Sequence, residues 1–443
     1  MSFRTVALPV GVITAEGGDD GTGLLDLLAR REDVVSWVRR GHGLVGWGQA
    51  LRLEAQGPDR IEALRSAWRA TVYASWWRDA LVRPGTGPVA LGTIAFSPTS
   101  AAVSVLTVPR VLVGLDDSGA WLTTAVVEGE AHPEVAEVLA RLRPPASAPP
   151  DVPSPDVCVV AAGALPEAEY LAAVAQVRRR IAAGEASKVV LARDLLVTPA
   201  APLATGDLLR HLEANYPSCW TFAVDSTVGA TPELLVRLEN RHLASRVLAG
   251  TARRHPGDAA AREREAERLG RWLAASPKNR AEHELARASA ITALEPLCSA
   301  VVAKAPRVLT LPNVLHLATD ITGVVAGDTG ALALVRALHP TAAVCGTPTE
   351  AAARIIAEVE GMDRGRYAGP VGWVDWHGEG EWCIALRSAA LPPGGVGPEA
   401  PARIFGGGGI MPDSVPVDEL AETQAKMRPM LTALGADVSP PLP

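Results

Sequence analysis

The sequence predicts a protein of mixed strands and helices whose neighbouring strands run antiparallel. Three observations carry this. Two strand-like runs flank His377-Gly378-Glu379-Gly380, a turn composition that makes them a hairpin. Residues 221–247 read as a meander of short strands. Helical spacing of apolar residues recurs between these stretches and is plainest after Pro416. A length of 443 residues suggests two or three domains, or one large α/β unit.

Apolar residues make up 48% of the chain, enough for a sizeable core, and aromatics only 4%, so that core must be mostly Val, Leu, Ile and Ala. A net charge of −7 argues against a protein built to bind nucleic acid or an anionic membrane. The five cysteines (Cys158, Cys219, Cys298, Cys345, Cys383) form no CxxC, and the start carries no signal-peptide pattern. A reducing cytoplasm is the expectation. No apolar run of about 18 residues escapes charges and prolines, so no transmembrane helix is expected.

Residues 1–143 show strand-like runs at 5–9, 44–53, 89–96, 103–108 and 111–115, with a helical segment near 60–80. Trp37, Trp47, Trp68, Trp76 and Trp77 read as packing residues rather than a ligand box. Residues 144–156 (PPASAPPDVPSPD) hold too much proline for a helix or a central strand and read as an extended surface connection.

Pro166 opens a helix with the apolar stripe Tyr170, Val174, Val177 and Ile181, and Gly184 stops it. Residues 187–198 (SKVVLARDLLVT) form a strand with Lys188 at its entrance, on the face of Val190 and Ala192. A lysine there usually snorkels to solvent. Buried, it would lose basicity and could act as a base. Glu233 follows a proline turn and precedes an apolar run. Such a carboxylate is usually exposed; in an apolar pocket it would hold its proton and could donate it.

Leu248-Ala249-Gly250-Thr251 ends the next strand. Residues 259–294 are helical with a break at Pro277, and Glu282-His283 opens the second half. That pair alone is a weak metal signal. His316 lies in a strand over 311–323, where a lone histidine is usually a satisfied core residue. Residues 328–338 are a helix, and Thr347-Pro348-Thr349-Glu350 reads as a capping box for the next one, which Gly361 ends.

A Pro/Gly-rich excursion at 392–401 leads to a third short run and then to Gly406–Gly409. Ser414 is the N-cap expected for a last helix beginning at Pro416. Val417, Leu420, Gln424, Met427 and Leu431 form its core stripe, and Glu419, Glu422 and Lys426 share the opposite side. The bland reading is a solvated face with a helical ion pair. The sharper one has the carboxylates hold a hard cation, the lysine reach an anionic substrate, and the glycine amides serve the same anion.

These segments in this order resemble the chorismate-utilising enzymes: isochorismate, salicylate, anthranilate and aminodeoxychorismate synthases. The pieces are SKVVLAR, GATPELL, LAGTARR, KNRAEHEL, LHLATDITG, LHPTAAVCGTP, DRGRYAGPVGW, IALRSA and SVPVDELAETQAK, spanning residues 165–434. The resemblance implies an α+β fold of two large, mainly antiparallel sheets with helices outside and a site in the cleft between them. Residues 1–143 would then be a variable part of the same fold, 144–156 a connection, 157–436 the catalytic region and 437–443 a tail. It also implies a Mg²⁺-dependent enzyme acting on chorismate. Lys188 matches the base that activates water for attack at C2, and Glu233 the acid that protonates the departing C4 hydroxyl. Glu282 and Glu422 match the Mg²⁺ ligands, with Glu419 an additional site carboxylate. Thr251, His316, Tyr367, Arg387, the amides of Gly407 to Gly409 and Lys426 match substrate-binding positions.

Within the family, Lys188 favours water as the nucleophile. Ala249 stands where aminodeoxychorismate synthases carry a second lysine, and no glutaminase pattern is present. YAGPVGW around Tyr367 is closer to isochorismate synthases than to salicylate synthases, which form isochorismate and then eliminate pyruvate. Isochorismate synthase, serving menaquinone or a siderophore, is the reading; salicylate synthase is the alternative, and a non-catalytic chorismate-binding homologue a more distant one. Two departures stand out. Thr231 replaces the more usual serine, and Gly408 replaces the usual alanine, an extra glycine expected to loosen the loop.

Overall fold

The computed structural model describes residues 1–9, 11–14, 22–29, 31, 33–140, 158–253, 259–311 and 314–436, without the side chains of 253 and 259–262. The proline-rich run 144–156 and the tail 437–443 lie outside these residues. The described strands join into one 21-stranded hydrogen-bonded network, antiparallel throughout except where Ser2–Ala7 runs parallel to Trp76–Asp79.

Two arms leave one junction. The strand Ser104–Asp116 pairs with His42–Ala55 along one edge. Along its other edge, the first part takes Val89–Thr93 and the second part Gly119–Val126. From Val89–Thr93 one arm runs through Pro370–Asp375, Gly380–Ile384, Leu234–Glu239 and His242–Arg253 to Val314–Val325. From His42–Ala55 the other runs through Val35–Arg39, Trp220–Val224, Thr227–Thr231, Ser388–Ala390 and Ala402–Ile410 to Lys188–Thr198. These are the two large antiparallel arrays with helices against them that the resemblance implies.

Local chemistry explains most boundaries. Gly184, at φ +82°, follows the helix Glu167–Ala182 in a conformation only glycine takes freely. The long helical stretch breaks as expected into Ala259–Ala275 and Pro277–Leu294. Ser276 caps the second by accepting from the Asn279 N–H. Tyr170, Val174 and Val177 are buried with Val189 and Leu191 in the largest apolar cluster.

Several expectations are corrected. The runs 103–108 and 111–115 are one strand. Pro109, which would ordinarily break it, faces Gln49 where the register shifts, and proline is tolerated at such a bulge. The helix near 60–80 ends at Tyr73, and Trp76–Asp79 is a strand drawn away by its pairing with the N-terminal strand. Trp76 there is 64% exposed, so it is not a packing residue. Thr347 does not cap the helix Thr349–Val359; its backbone pairs with Lys188 instead. Nor does Ser414 cap the last helix, Pro416–Ala433, whose N-cap is Val415. The Ser414 hydroxyl accepts from the Met411 N–H.

One buried ion pair is bonded into the strand Lys188–Thr198. Arg364 and Glu360 are 3% and 0% exposed and bond to each other. Arg364 also donates to Val344 O (2.9 Å) and Val190 O (2.8 Å), and Glu360 accepts from the Ala192 N–H at 2.8 Å. Truncating one partner strands the other's charge. Arg364→Met is expected to lose about 3–5 kcal/mol of stability, read as a lower urea midpoint at unchanged slope.

Candidate active site

A narrow cleft opens where the arms meet, lined by Glu233, Thr251, Glu282, His316, Tyr367, Arg387, Gly407, Gly408, Gly409 and Lys426 among others. The fold therefore brings most of the sequence-selected residues to one cavity. Lys188, Glu419 and Glu422 stand immediately around it, through contacts with Glu282, Gly408 and Lys426.

Lys188 does not snorkel. Its side chain is fully buried, and its Nζ lies 3.1 Å from Glu282 Oε1 without a well-aligned hydrogen bond to any acceptor. Room for this pair comes from Gly409. A methyl group there would fall 2.3 Å from Glu282 Oε1 and 2.8 Å from Lys188 Cε. Gly408 is less tightly enclosed: a Cβ would sit 3.1 Å from Glu419 Oε2 and 3.5 Å from Glu422 Oε1. The glycines form no loose loop. They are the end of the strand Ala402–Ile410, in register with Lys188–Thr198.

That register also says where their amides point. The Val190 N–H bonds to Cys345 O at 2.8 Å and the Ala192 N–H to Glu360 at 2.8 Å, away from the glycine strand. In an antiparallel ladder their partners Gly409 and Gly407 are then non-hydrogen-bonded pairs and face the other way. The Gly407 carbonyl confirms it by accepting from Lys426 Nζ at 2.9 Å. Gly407 and Gly409 thus present N–H groups along a strand edge that the cleft borders.

Opposite, a bulge between Ala249 and Thr251 places Gly250 at φ +76°. It sets Thr251 Oγ1 at 3.1 Å from His316 Nδ1. Arg387 NH2 reaches His316 Nε2 at 3.3 Å. A guanidinium can only donate, so Nε2 accepts and Nδ1 carries the proton. Burial, with Arg387 and Lys426 nearby, holds the imidazole neutral. Arg387 itself takes a left-handed backbone at φ +49°, a strained choice for a long side chain. Tyr367 is buried and stacks on Phe405 with centroids 4.8 Å apart. Burial pushes its hydroxyl up to about 12.

The carboxylates divide by environment. Glu233 is 4% exposed, and desolvation raises its pKa to about 8 although Lys188, Lys426 and Arg387 pull the other way. Glu419 is also raised, by burial first and the charge of Glu422 second. For Glu422 burial is outweighed by Lys426, 2.5 Å away, and its pKa is lowered. The solvated-face reading of the last helix is wrong: Glu419 is 2% exposed, while Val417, assigned to the core stripe, is 60% exposed.

Sequence reading missed Lys278, whose Nζ donates to Glu419 Oε1 at 3.0 Å. The available signal was spacing: it precedes Glu282 by one helical turn. It also missed Arg364. His283, singled out only as half of a weak metal signal, is held instead between Ala249 O and Thr319 Oγ1. Among the described residues no three His, Cys, Asp or Glu side chains converge as they stand on a point that could hold a metal. Each carboxylate is paired with a lysine instead: Glu282 with Lys188, Glu419 with Lys278, Glu422 with Lys426. The donor chemistry nonetheless suits a hard cation, with carboxylate oxygens close to both faces of the strand where Gly408 and Gly409 lack side chains.

Residues 31–435 match the family described as "Chorismate binding enzyme". The isochorismate synthase DhbC of Bacillus subtilis is 38% identical over 287 residues, 62% of this chain and 69% of that protein. The salicylate biosynthesis isochorismate synthase of Pseudomonas aeruginosa is 33% identical over 440 residues, 92% of this chain and 86% of that protein. Among solved structures, the menaquinone-specific isochorismate synthase MenF of Escherichia coli superposes with a TM-score of 0.75 at 24% identity, covering 98% of this chain and 94% of that one. At that identity the likeness speaks for the fold.

The Glu233 environment has a direct readout. At neutral pH the group is a neutral acid, and it ionises as pH rises through about 8. Its folded-state value lies above the unfolded one, so the associated stability declines as pH climbs from the ordinary carboxylate range towards 8. A protonated-carboxyl infrared band that bleaches with a midpoint near 8 in the unliganded protein, and is missing in Glu233→Gln, is expected.

Proposed function

The chain belongs to the chorismate-binding enzyme family, and from that membership we propose that it is an isochorismate synthase in which Lys188 and Glu233 work as base and acid. What supports this is that Glu233 lines the cleft and Lys188 is buried beside it, against Glu282. A buried amine from one arm and a neutral buried carboxylic acid from the other lie close enough for the amine to act on the acid's charge. The reaction needs that combination. Water gives up a proton as it adds at C2, the ring double bond shifts, and the C4 oxygen takes a proton as it leaves. Because a protonated lysine and an ionised glutamate are the reverse pair, the same site runs the step backwards.

Recognition follows from charge. Chorismate is a dianion. Arg387 can take one carboxylate with two parallel donors, and Lys426 with the Gly407 and Gly409 amides can take the other. Thr251, His316 and Tyr367 supply the remaining polar contacts. Neutral His316 adds hydrogen bonding without a further charge. Glu282 and Glu422, with Glu419 beside them, would hold Mg²⁺. When bound, the ion fixes the substrate carboxylate and draws electron density from the ring.

Water as the nucleophile requires no ammonia channel, and no glutaminase subunit is part of the proposal. A cytoplasmic location fits the free cysteines, and no described helix is long and apolar enough to cross a membrane. Salicylate synthase remains the second reading, because the same base and acid serve its first half-reaction. Menaquinone and siderophore pathways both start from this product.

Chorismate with Mg²⁺ should yield isochorismate by chromatography, and EDTA should stop it. Salicylate and pyruvate as the main products at neutral pH would move the assignment to the second reading. Lys188→Ala is expected to abolish water addition with the fold intact, and near-normal turnover would remove it as the base. Glu233→Gln should lower kcat by about 10²–10⁴ with little change in KM; a pure KM effect would contradict the acid role.

A further inference from the structure

Three lysines neutralise the carboxylates around Gly408 and Gly409, and they differ in how firmly they are held. Lys188 is wholly enclosed, with 0% of its side chain exposed. Lys426 is 14% exposed and is also pinned to the Gly407 carbonyl at 2.9 Å. Lys278 is 32% exposed, and Glu419 is its one hydrogen-bond partner among the described residues. It sits in the first turn of the helix Pro277–Leu294, so its four-carbon stem can turn into solvent without moving the backbone.

Its surroundings are equally telling. Besides Glu419, the charges of Glu282 and Glu422 both act on the Lys278 ammonium. It is therefore linked to all three carboxylates assigned above to the divalent cation. The Lys278 hydrogen bond also offsets the charge of Glu419, which lies 2% exposed beside Glu422.

We propose that Lys278 is an exchangeable counter-cation: its ammonium holds the Glu282–Glu419–Glu422 cluster together in the metal-free protein and swings out to solvent when a divalent cation enters. This rests on the reading of those glutamates as the metal ligands. No covalent step is involved; one positive partner replaces another. The exchange has two consequences. Metal binding in the absence of substrate is weakened, because the ion must displace a cation already paired. The metal-free fold is protected, because the buried carboxylate is never left alone.

The test is Mg²⁺ alone, titrated calorimetrically into the full chain without chorismate, together with melting curves in EDTA and in Mg²⁺. Lys278→Met should bind Mg²⁺ about tenfold more tightly than the parent, by loss of the competitor. Its EDTA melting temperature should fall, and Mg²⁺ should raise it by more than in the parent. Should Lys278→Met fail to fold, Lys278→Gln, which keeps a donor for Glu419 but no charge, carries the same expectation. Unchanged or weaker Mg²⁺ affinity in the variant overturns the proposal, as does absence of Mg²⁺ binding in both proteins. Product analysis on the parent is separate: a parent that binds Mg²⁺ and exchanges as described yet makes no isochorismate would sink the assigned reaction and leave the exchange standing.

Discussion

The cleft depends on one close approach of backbones. Gly406–Gly409 lie in register with Val190–Arg193, and the charged groups crowd in where Gly408 and Gly409 lack side chains. Glu282 and Lys188 fill the space a Cβ on Gly409 would need. Glu419 and Glu422 press against Gly408, and the Tyr367 hydroxyl lies over Gly407. Any other residue at Gly409 would drive a methyl group into a carboxylate at 2.3 Å. The glycines thus act through absence, letting Glu282 and Lys188 approach one face of the strand and Glu419 and Glu422 the other, at the edge of one cleft volume.

Around that volume the protein sets like groups to unlike tasks. Glu233 and Glu422 have the same side chain, yet burial leaves one neutral while a lysine at 2.5 Å keeps the other ionised. The difference is one of partners rather than depth, since both lie in the same cleft region. His316 is neutral for the complementary reason: burial and two neighbouring cations press on it. Acid, anion and uncharged donor are thereby separated within one cavity without a change of pH.

Much of this could be read from the chain. The order of motifs announced the fold through its resemblance to a known family, and several of them carry a turn or a glycine that the geometry requires. Gly250 bulges its strand so that Thr251 meets His316, and Pro277 divides two helices. The hairpin at His377–Gly380 forms as its composition dictates. What escaped was decided by partners distant in sequence. Helical periodicity carried the first helix past Tyr73, but Trp76–Asp79 had a strand to join. Glu419 looked like solvated helix surface because Lys278, 141 residues away, cannot be foreseen from the local pattern. Lys188 looked like a snorkelling lysine because nothing nearby in sequence shows Glu282 waiting for it. Caps failed at Thr347 and Ser414 for a similar reason: each had a nearer or better bonding opportunity than the helix end.

The junction strand Ser104–Asp116 has a consequence for how the chain holds together. Strands before residue 140 are interleaved with strands after residue 158 at both Val35–Arg39 against Trp220–Val224 and Val89–Thr93 against Pro370–Asp375. Severing the peptide backbone between those limits would not release a free-standing enzyme and a discarded leader. The two fragments would remain zipped to one another, and either made alone would expose raw sheet edges seeking its missing half. Heredity could split such a gene only by keeping both pieces in the same cell.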